Sequence, residues 1–456
     1  MLRPTTRSLA GGAAGIVAGI CGGIALTAGS AGNLAIAPVT GRIDAAHVPS
    51  LLTLPGEPVT LRYAIVCRPR DDGLPCDGSG VVHARAGQSG PFRSFALERG
   101  SDSADGRYFV TLPPAIAGST AGFSYYATLR DEATGAEITV PSAGALAPQR
   151  SLPLRGAVRA RLGSHAFGRT RIPDARVVDA PWGSGTREAG LAGSRELGFI
   201  GPSAFDVGPD GTVALLDQVN RRLQRWSRGR VSQTHVEVSG GLADLEVEPD
   251  GTANVLEPPE RAEPEPVLRS FDRDGRLRSA QRLSDRTWAK LAAGPEGPVV
   301  LQEPSEQWMP LAANGAALDR TTQAKGGRAG KPIGLGREVI VERAGEGELR
   351  LADVRGNAVL GAWQVTSATP LGEIQLAEVM GDRLVVVVKA YTDVDGEYVV
   401  LVLDRAGVVQ RLSVAADEWA EGAPLARFRL SGRSLYHLGS TPSGAFIDRF
   451  DLEVAR

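Results

Sequence analysis

The sequence is poor in the residues that build most metal and redox sites, since its 456 residues include only five His and three Cys. Charge of one sign is also lacking, because 50 Lys and Arg stand against 52 Asp and Glu and give a formal net charge of -2. No excess of positive charge therefore indicates a nucleic-acid partner. The chain contains no P-loop, no Gly-x-Ser-x-Gly elbow and no Cys-x-x-Cys pair, so it lacks the signatures of P-loop NTPases, serine hydrolases and dithiol oxidoreductases.

One long uncharged apolar run lies near the start of the chain. Arg3 and Arg7 precede this run, which extends from Leu9 to about Ala28 and is followed by small residues. A positive start, an apolar centre and a small-residue exit are typical of a secretory signal. The length also approaches the roughly 20 residues that a membrane anchor needs. Residues 1–31 are therefore expected to be a signal peptide or an N-terminal membrane anchor, and either one places the remainder outside the cytoplasm.

Two of the cysteines stand close together. Cys67 and Cys76 flank a short loop that is rich in Arg, Pro, Asp and Gly. This spacing suits a disulfide at the tip of a hairpin in an oxidising compartment. A metal site would need further Cys or His ligands beside them, and the surrounding sequence supplies none. The sequence thus predicts a Cys67–Cys76 disulfide.

From about residue 45 to residue 150, apolar and polar side chains alternate with a period of two, which is the pattern of β-strands. Clusters of Pro, Gly, Asp and Ser separate the segments and predict tight turns. The expected strands are Val59–Cys67, Gly80–Ala86, Phe92–Glu98, Gly106–Leu112, Gly122–Leu129 and Glu137–Val140. Six or seven short strands in roughly 100 residues are typical of a small β-sandwich.

One of these strands has a distinctive composition. The string Gly-Phe-Ser-Tyr-Tyr-Ala-Thr-Leu-Arg-Asp, which starts at Gly122 and is followed by a Gly turn and a Val-Pro pair, resembles bacterial Ig-like or fibronectin-like modules. The resemblance implies an Ig-like β-sandwich over residues 45–150. Such a module would act as a spacer or as a second contact surface.

A longer repeat begins near residue 200. Its clearest copy runs from Gly201 to Trp226 and contains an apolar strand, an Asp210-Gly211 turn, a second apolar strand, a polar corner and a third strand. Asp-Gly is a strong hairpin signal because the turn needs positive φ, which these two residues tolerate. A fourth strand, Val231–Val238, follows.

The same order of strands and turns recurs to the end of the chain, with first turns roughly 39 to 51 residues apart, which is the spacing of propeller blades. The further first strands are Leu242–Val247, Ala289–Ala293, Pro332–Leu335, Ile374–Val379 and Ala426–Leu430. The sequence therefore predicts an all-β chain, in which a small β-sandwich precedes a six-bladed β-propeller over residues 200–456. Seven blades are the alternative if residues 155–200 contain another copy.

The sixth copy is expected to lack its fourth strand, because the chain ends after the third. A propeller must close its ring, and a strand from before the first blade can complete the last one and remove an open sheet edge. Ala175–Asp179, or the stretch near Ala189–Leu197, is placed to do so. Residues 151–199 are thus expected to be a linker that contains the propeller-closing strand.

The polar corner of the first copy, Asp217-x-x-Asn220-x-Arg222, resembles the core of an NHL repeat. The second copy has Glu257 where Asp217 stands, and the later copies lose the corner. The spacing of strands and turns resembles that of NHL repeats over the whole region, whereas the motif itself is present in one copy. The resemblance implies an NHL-type β-propeller. Propellers of this type serve as scaffolds for protein, RNA or glycan binding, and some relatives are lyases or lactonases, so the resemblance implies a fold and leaves the function open.

Charged residues on the innermost strands are the candidates for a ligand site in the central funnel. None of the five His repeats at the blade period, so the sequence shows no ring of imidazole ligands. Aligning the copies on their first turns gives a set of funnel candidates: Asp206, Asp244, Glu246, Lys290, Glu378 and Arg427. This set predicts either a water-filled channel with paired charges or a site for a polar ligand or cation.

The sequence favours an exported, non-catalytic binding protein whose propeller face engages a protein or glycan partner at the cell surface, without a cofactor. The alternative is a propeller hydrolase or lyase with a metal in the central funnel. The two hypotheses differ in geometry. A metal would need Asp206, Asp244, Glu246 and Glu378 to converge within ligand distance, whereas binding alone makes no such demand.

Overall fold

The computed structural model describes a set of ranges between residues 42 and 452: 42–68, 77–100, 107–194, 196, 198–239, 241–258, 266–283, 288–295, 297–302, 307–311, 330–356, 358–420 and 426–452. The predicted signal or anchor and the side chains of Cys67 and Cys76 lie outside the described residues. Within the described ranges, no helix has the length and apolar character needed to cross a membrane.

The described part of residues 42–153 contains eleven strands, one helical turn α1 (Pro114–Ala117) and a 3-10 turn. In chain order, β1 to β11 are Arg42–Ala46, Leu52–Thr53, Val59–Arg68, Gly78–Ala86, Arg93–Ala96, Glu98–Arg99, Arg107–Leu112, Phe123–Asp131, Glu137–Val140, Gln149–Arg150 and Leu152–Pro153. Strands β1, β3, β7 and β6 form one sheet, and β10, β8, β4 and β5, with β9 beside β8, form a second. Both sheets bury alternate side chains, such as Tyr63 and Tyr125, in one apolar core.

The strand pattern of the sequence agrees closely with these bounds. Each of the six expected strands overlaps an observed strand, and the expected strand Phe92–Glu98 is divided into β5 and β6 at Leu97. The two shortest strands, β2 and β11, form a separate parallel pair that the sequence pattern does not indicate.

The rest of the chain forms successive antiparallel sheets. Two strands and a hairpin come first, namely β12 to β15: Val158–Arg161, Ala175–Pro181, Ala192–Ser194 and Gly198–Ile200. Strands β16 to β37 follow: Ala204–Val207, Val213–Asp217, Arg222–Ser227, Arg230–His235, Asp244–Val247, Ala253–Glu257, Val267–Phe271, Leu277–Arg282, Trp288–Gly294, Gly297–Gln302, Gln307–Pro310, Lys331–Gly334, Arg337–Gly345, Glu348–Arg355, Ala358–Thr366, Leu371–Met380, Arg383–Tyr391, Gly396–Asp404, Gly407–Ala415, Phe428–Ser431, Ser434–Thr441 and Gly444–Asp451.

These strands group into sheets in which each strand pairs with the next. Among the described residues, the first to sixth sheets are β16–β19, β20–β23, β24–β26, β27–β30, β31–β34 and β35–β37. The first strands β16, β20, β24 and β27 contact one another in that order, and β35 contacts both β31 and β16. Between the fourth and fifth sheets, β31 contacts β28, and Lys331 of β27 pairs with Glu378 of β31. Sheets whose first strands form a closed circle have the arrangement of a β-propeller.

The sixth sheet obtains its fourth strand from far upstream. Strand β13 pairs antiparallel with β37, and Val178 and Ala180 of β13 are fully buried against it. Ala175–Asp179, one of the two stretches expected to complete the last sheet, lies within β13, whereas the other stretch contributes to the β14–β15 hairpin. The first and last sheets are therefore joined through residues that precede both of them in the chain.

Residues 158–181, which we call the strap, follow the outer edges of the fourth, fifth and sixth sheets. Strand β12 pairs in parallel with β30 of the fourth sheet. The backbone N–H of Arg171 then donates to the carbonyl of Ser413 at 2.8 Å on the fifth sheet, and β13 completes the sixth. A stretch that the sequence indicates only as a linker with a closing strand thus covers three sheet edges, which lowers the exposure of unpaired backbone groups.

A buried histidine fixes the middle of the strap to the fifth sheet. Arg411 Nη2 can only donate, so His165 Nδ1 accepts from it at 3.2 Å. The Nε2–H of His165 then donates to Glu397 Oε2 at 2.7 Å, and Glu397 Oε1 also accepts the N–H of Gly168. The polar side chains are therefore satisfied where the strap leaves β12 and turns toward β13.

The N-terminal sheets dock on the fourth sheet of the propeller, within one compact unit that spans residues 41–456. Glu342 Oε2 accepts the N–H groups of Leu51 and Leu52 at 3.1 and 2.6 Å. Arg350 donates to the carbonyl of Leu52 at 3.0 Å and to Glu57 Oε1 at 2.6 Å. Leu51 and Leu52 also belong to an apolar cluster that includes buried residues of β28 and β29. The contact thus combines apolar packing with a charged network.

Because β13 closes the ring by pairing with β37, we expect a larger side chain at Gly444 to destabilise the protein. A Cβ added there would lie 2.4 Å from the carbonyl oxygen of Ala180, so Gly444→Ala should separate β13 from β37. At Gly345 the nearest atom would be 3.9 Å away, which makes Gly345→Ala the matched control. We expect Gly444→Ala to lower the free energy of unfolding by about 1–3 kcal/mol in urea titrations, as overpacking does. Equal midpoints for the two variants would contradict this account of closure.

Candidate functional site

The first strands of the propeller surround a cavity of about 410 Å³. Its walls come from β24 and β26 of the third sheet, β27 and β28 of the fourth, β31 of the fifth and β35 of the sixth. The segment that joins β1 to β2 forms a further wall through Val48, Pro49 and Leu51. Val48 is 71% exposed, so the cavity opens to solvent beside this segment.

Arg429 of β35 is the central charge of the region, and the sequence alignment did not select it. Its Nη2 donates to Asp244 Oδ1 at 3.3 Å and to the carbonyl of Leu245 at 2.7 Å, while its Nε donates to the carbonyl of Phe205 at 3.0 Å. Asp206 Oδ1 lies 3.6 Å from the same Nε. One guanidinium therefore joins the first strands of the sixth, first and second sheets.

The two aspartates that face Arg429 also bridge neighbouring sheets. Asp206 Oδ2 accepts the N–H of Val247, and Asp244 Oδ2 accepts the N–H of Leu291, both at 2.7 Å. Burial raises the pKa of the Asp206 carboxyl, although Arg429 and the N–H groups of Val247 and Val207 oppose the shift. These side chains act as crosslinks between sheets, which explains why buried acids are tolerated near the propeller axis.

Glu246 lies next to this cluster and is oriented by an amide. Its Oε2 accepts from Asn254 Nδ2 at 2.8 Å, and Glu248 Oε1 accepts from the same nitrogen at 2.9 Å. Burial raises the pKa of Glu246 to about 7, and the negative charges of Asp206 and Glu248 add to the effect. A carboxyl with this pKa can hold or release a proton near neutrality.

The other predicted funnel residues form ion pairs across the cavity. Lys290 Nζ lies 3.0 Å from Glu373 Oε1, and Lys331 Nζ lies 2.6 Å from Glu378 Oε1. Each pair joins two different sheets. In the structure, Lys290 and Lys331 are thus already neutralised by acids of the fifth sheet.

Of the six candidates, Asp244, Lys290 and Glu378 line the described cavity, whereas Asp206, Glu246 and Arg427 do not. The side chain of Arg427 is 7% exposed, and its Nε lies 3.7 Å from Glu418 Oε1 between the fifth and sixth sheets. The guanidinium carbon also lies 5.8 Å from the ring centroid of Tyr398. The structure therefore places Arg427 away from the described cavity lining, and Arg429, two residues later, stands in the funnel instead.

The described residues around the propeller axis do not form a metal centre. Among the described residues, no group of three or more His, Cys, Asp and Glu side chains could hold a metal ion. Asp206 and Asp244 are gathered around the guanidinium of Arg429, and Glu378 is paired with Lys331. Of the four carboxylates that the metal hypothesis requires to converge, three are thus directed toward cations of the protein, and the fourth, Glu246, accepts from the Asn254 amide.

The NHL-like corner of Asp217, Asn220 and Arg222 forms a hydrogen-bonded cluster. Asp217 is fully buried, and its Oδ2 accepts from Asn220 Nδ2 and from Arg222 Nε, both at 2.9 Å. Arg222 also donates to the carbonyls of Ser184 and Glu188 at 2.9 and 2.7 Å. The corner therefore holds the segment that follows the closing strand β13 against the first sheet.

Comparison with known proteins gives similarity at the level of the fold. No family model matches the chain. No curated protein matches it either.

Solved structures with similar arrangements include virginiamycin B lyase from Staphylococcus aureus, at 8% identity and a TM-score of 0.32, over 55% of this chain and 94% of that one. A protein of unknown function from Bacteroides thetaiotaomicron VPI-5482 is 8% identical, with a TM-score of 0.34, over 90% of this chain and 98% of that one. YCF48 from Cyanidioschyzon merolae is 11% identical, with a TM-score of 0.29, over 55% and 95% of the two chains. At such low TM-scores these similarities carry no argument about activity.

The position of Arg429 predicts a large loss of stability when its charge is removed. Arg429→Met would leave Asp206 and Asp244 buried without their cation, and breaking a buried pair in this way costs about 3–5 kcal/mol. Urea unfolding monitored by circular dichroism measures the loss. Arg433→Met, in an exposed turn of the same sheet, is the control and should be nearly neutral. Adding Asp206→Asn to Arg429→Met should recover part of the loss, and additive losses would contradict the pairing.

Glu342 predicts a pH-dependent difference between the wild type and Glu342→Gln. Burial raises the pKa of Glu342 from its ordinary value of 4.5 to about 7, so the folded state holds its proton more tightly than the unfolded state. The stability from this group is complete below pH 4.5 and is lost as the pH rises through 7. The free energy of unfolding of Glu342→Gln minus that of the wild type should therefore rise between these values, by at most about 1.4 kcal/mol per pH unit.

The measurement must use the difference between the free energies of unfolding of Glu342→Gln and the wild type. Burial lowers the pKa of His47 to about 4 and that of His437 to about 3, so these imidazoles give the wild type an opposing pH dependence. Both proteins share that contribution, and it cancels in the difference. A difference that is flat between pH 4.5 and 7.5 would show that Glu342 has an ordinary pKa.

Proposed function

We propose that this chain is an exported, non-catalytic binding protein whose β-propeller takes a neutral glycan in the central cavity. The observation that carries the proposal is the pairing of the charged side chains that line the cavity. Lys290 is paired with Glu373, Lys331 with Glu378, and Arg429 with Asp244. These pairs exist before any ligand enters.

The balance of charge favours a ligand without charge. Among the described lining residues, four cations and four acids are present: Lys290, Lys331, Arg343, Arg429, Asp244, Glu342, Glu373 and Glu378. A charged ligand that binds at the three ion pairs would have to replace a partner and leave the other charge uncompensated. Arg343 and Glu342 bond backbone groups instead, since Arg343 donates to the carbonyl of Leu371 and Glu342 accepts the N–H groups of Leu51 and Leu52. A polyhydroxylated ligand donates to the carboxylates and accepts from the ammonium and guanidinium groups without breaking any pair.

An aromatic ring in the wall suits the apolar face of a sugar. Trp308 of β26 is half-buried in the lining, and Lys331 Nζ lies 5.9 Å from its ring centroid. Ligand sites of this size combine apolar or aromatic surface with a few well-placed polar groups. The ring and the paired charges together supply both kinds of surface that a glycan presents.

The finer description of the fold belongs to the same proposal. The propeller is a six-bladed ring of NHL type, which the closed circle of first strands and the Asp217 corner support. The N-terminal sheets are an Ig-like sandwich, which their shared core supports. Arg3, Arg7 and the apolar run after them support export, with the run either removed or kept as an anchor at the envelope.

Calorimetric titration of the full-length protein with a panel of neutral oligosaccharides tests the function. We expect saturable binding by at least one of them, and about a tenfold loss of affinity in Trp308→Ala, because the ring contact contributes roughly 1–2 kcal/mol. Trp419→Ala is the matched control, since Trp419 is half-buried against Phe199 and lies outside the described cavity lining.

Four results would contradict the proposal, and each contradicts a different part of it. An equal loss in Trp419→Ala would place the ligand elsewhere on the protein. Binding of acidic oligosaccharides in preference to neutral ones would contradict the argument from paired charges. Release of new reducing ends during incubation would overturn the non-catalytic assignment, and capture of a protein partner with no response to any sugar would overturn the glycan.

A further inference from the structure

A second opening, separate from the central cavity, lies between the N-terminal sheets and the outer edge of the fourth sheet. This cleft has a volume of about 600 Å³. One wall comes from the N-terminal region, with Gln88, Thr120 and the segment around Pro153. The facing wall is the first half of β30 together with the turn that carries Arg405. Clefts at domain junctions of this size are common ligand sites.

The charge of the cleft has one sign. Arg155 and Arg405 are exposed at its walls, and no Asp or Glu is present among the described residues that line it. Arg155 Nη2 donates to the carbonyl of Thr120 at 2.8 Å, which fixes the guanidinium at the N-terminal wall. The nearby carboxylate of Asp404 accepts the N–H groups of Ala406 and Gly407 in its own turn. The cleft thus presents two cations to a ligand.

The remainder of the lining is aliphatic. Leu152 and Pro153 lie on the N-terminal side, and Val158, Val359 and Leu360, which belong to the fourth propeller sheet, lie on the other; all of them are half-buried. Half-buried aliphatic side chains offer area that a ligand can cover, and burial of apolar surface is worth about 25 cal/mol per Å². The ligand therefore needs apolar groups as well as negative charge.

The cleft lacks the aromatic surface that a sugar would use. Its one Trp, among the described lining residues, is Trp363, which is only 4% exposed. The indole N–H of Trp363 already donates to the carbonyl of Asp404 at 2.6 Å. A ligand in this cleft would meet aliphatic side chains, exposed backbone and two guanidinium groups, and these features match a peptide better than a carbohydrate.

We propose that the cleft between the N-terminal sheets and the fourth propeller sheet binds an extended acidic peptide segment of a partner protein. Acidic side chains of the peptide pair with Arg155 and Arg405, which recognise carboxylates through forked N–H groups. Apolar side chains of the peptide pack between Leu152 and Leu360, and the Gln88 amide can bond the peptide backbone. This site does not depend on the glycan proposal, since the two openings share no lining residue.

Fluorescence anisotropy with the full-length protein tests the cleft. The probes are three short fluorescein-labelled peptides that alternate Leu with Glu, Leu with Gln or Leu with Lys. We expect saturable binding of the Leu-Glu peptide, at least about tenfold weaker binding of the Leu-Gln peptide and none of the Leu-Lys peptide. The affinity for the Leu-Glu peptide should fall as salt is added, because the arginines are exposed.

Variants then locate the binding. Arg155→Glu combined with Arg405→Glu should reduce the affinity for the Leu-Glu peptide by at least about tenfold. Leu360→Ser should weaken it without changing its dependence on salt. Arg433→Glu is the matched control, since it makes the same charge reversal at an exposed turn of the sixth sheet. Thermal unfolding of each variant establishes that it is folded.

Several results would overturn the proposal. They are the absence of saturable Leu-Glu binding, unchanged affinity in the double variant, or an equal loss in Arg433→Glu, which would indicate non-specific attraction. Binding of an acidic polysaccharide such as polygalacturonate that requires Arg155 and Arg405, without any binding of the peptide, would assign the cleft to a different ligand.

Discussion

The structure depends on the joining of its first and last sheets. A ring of sheets is complete only when the interface between its last and first sheets has formed. Three kinds of contact contribute to this closure here. The β13–β37 ladder supplies main-chain pairing, Arg429 supplies a charge shared by three sheets, and the Asp217 corner fixes the chain that follows the closing strand. The N-terminal sheets then rest on the ring that these contacts complete.

The charged side chains near the propeller axis follow from the same requirement. First strands approach one another closely at the centre, so the backbone N–H groups that they turn toward the axis need acceptors. Carboxylates of Asp206 and Asp244 supply these acceptors, and Arg429 neutralises them. Acids that a sequence alignment would offer as metal ligands are thus explained as structural crosslinks. The part of the cavity left for a ligand lies among the ion pairs of Lys290 and Lys331.

Local patterns predicted the local features well. Period-two alternation and turns such as Asp210-Gly211 indicated most strands, because both depend on neighbouring residues. Contacts between distant residues were harder to predict. Nothing local marks Val158–Arg161 as a partner of β30, or Val48 as part of the cavity wall. The choice of Arg427 instead of Arg429 has a different origin, since alignment on turns fixes a strand only to within a residue or two, and Arg427 precedes β35, which begins at Phe428.

The position of β13 in the chain has a consequence for synthesis. The strand that completes the last sheet is made before any of the six propeller sheets, and its partner β37 follows the other strands of the propeller in the chain. During synthesis the early strand must wait, with its edge unpaired, until the strands of all six propeller sheets have emerged. A defect in β13 therefore affects a sheet whose other strands lie far away in the sequence. A break or deletion near residue 175 would disrupt the sheet that is made last, while the sheets between could still assemble as an open arc.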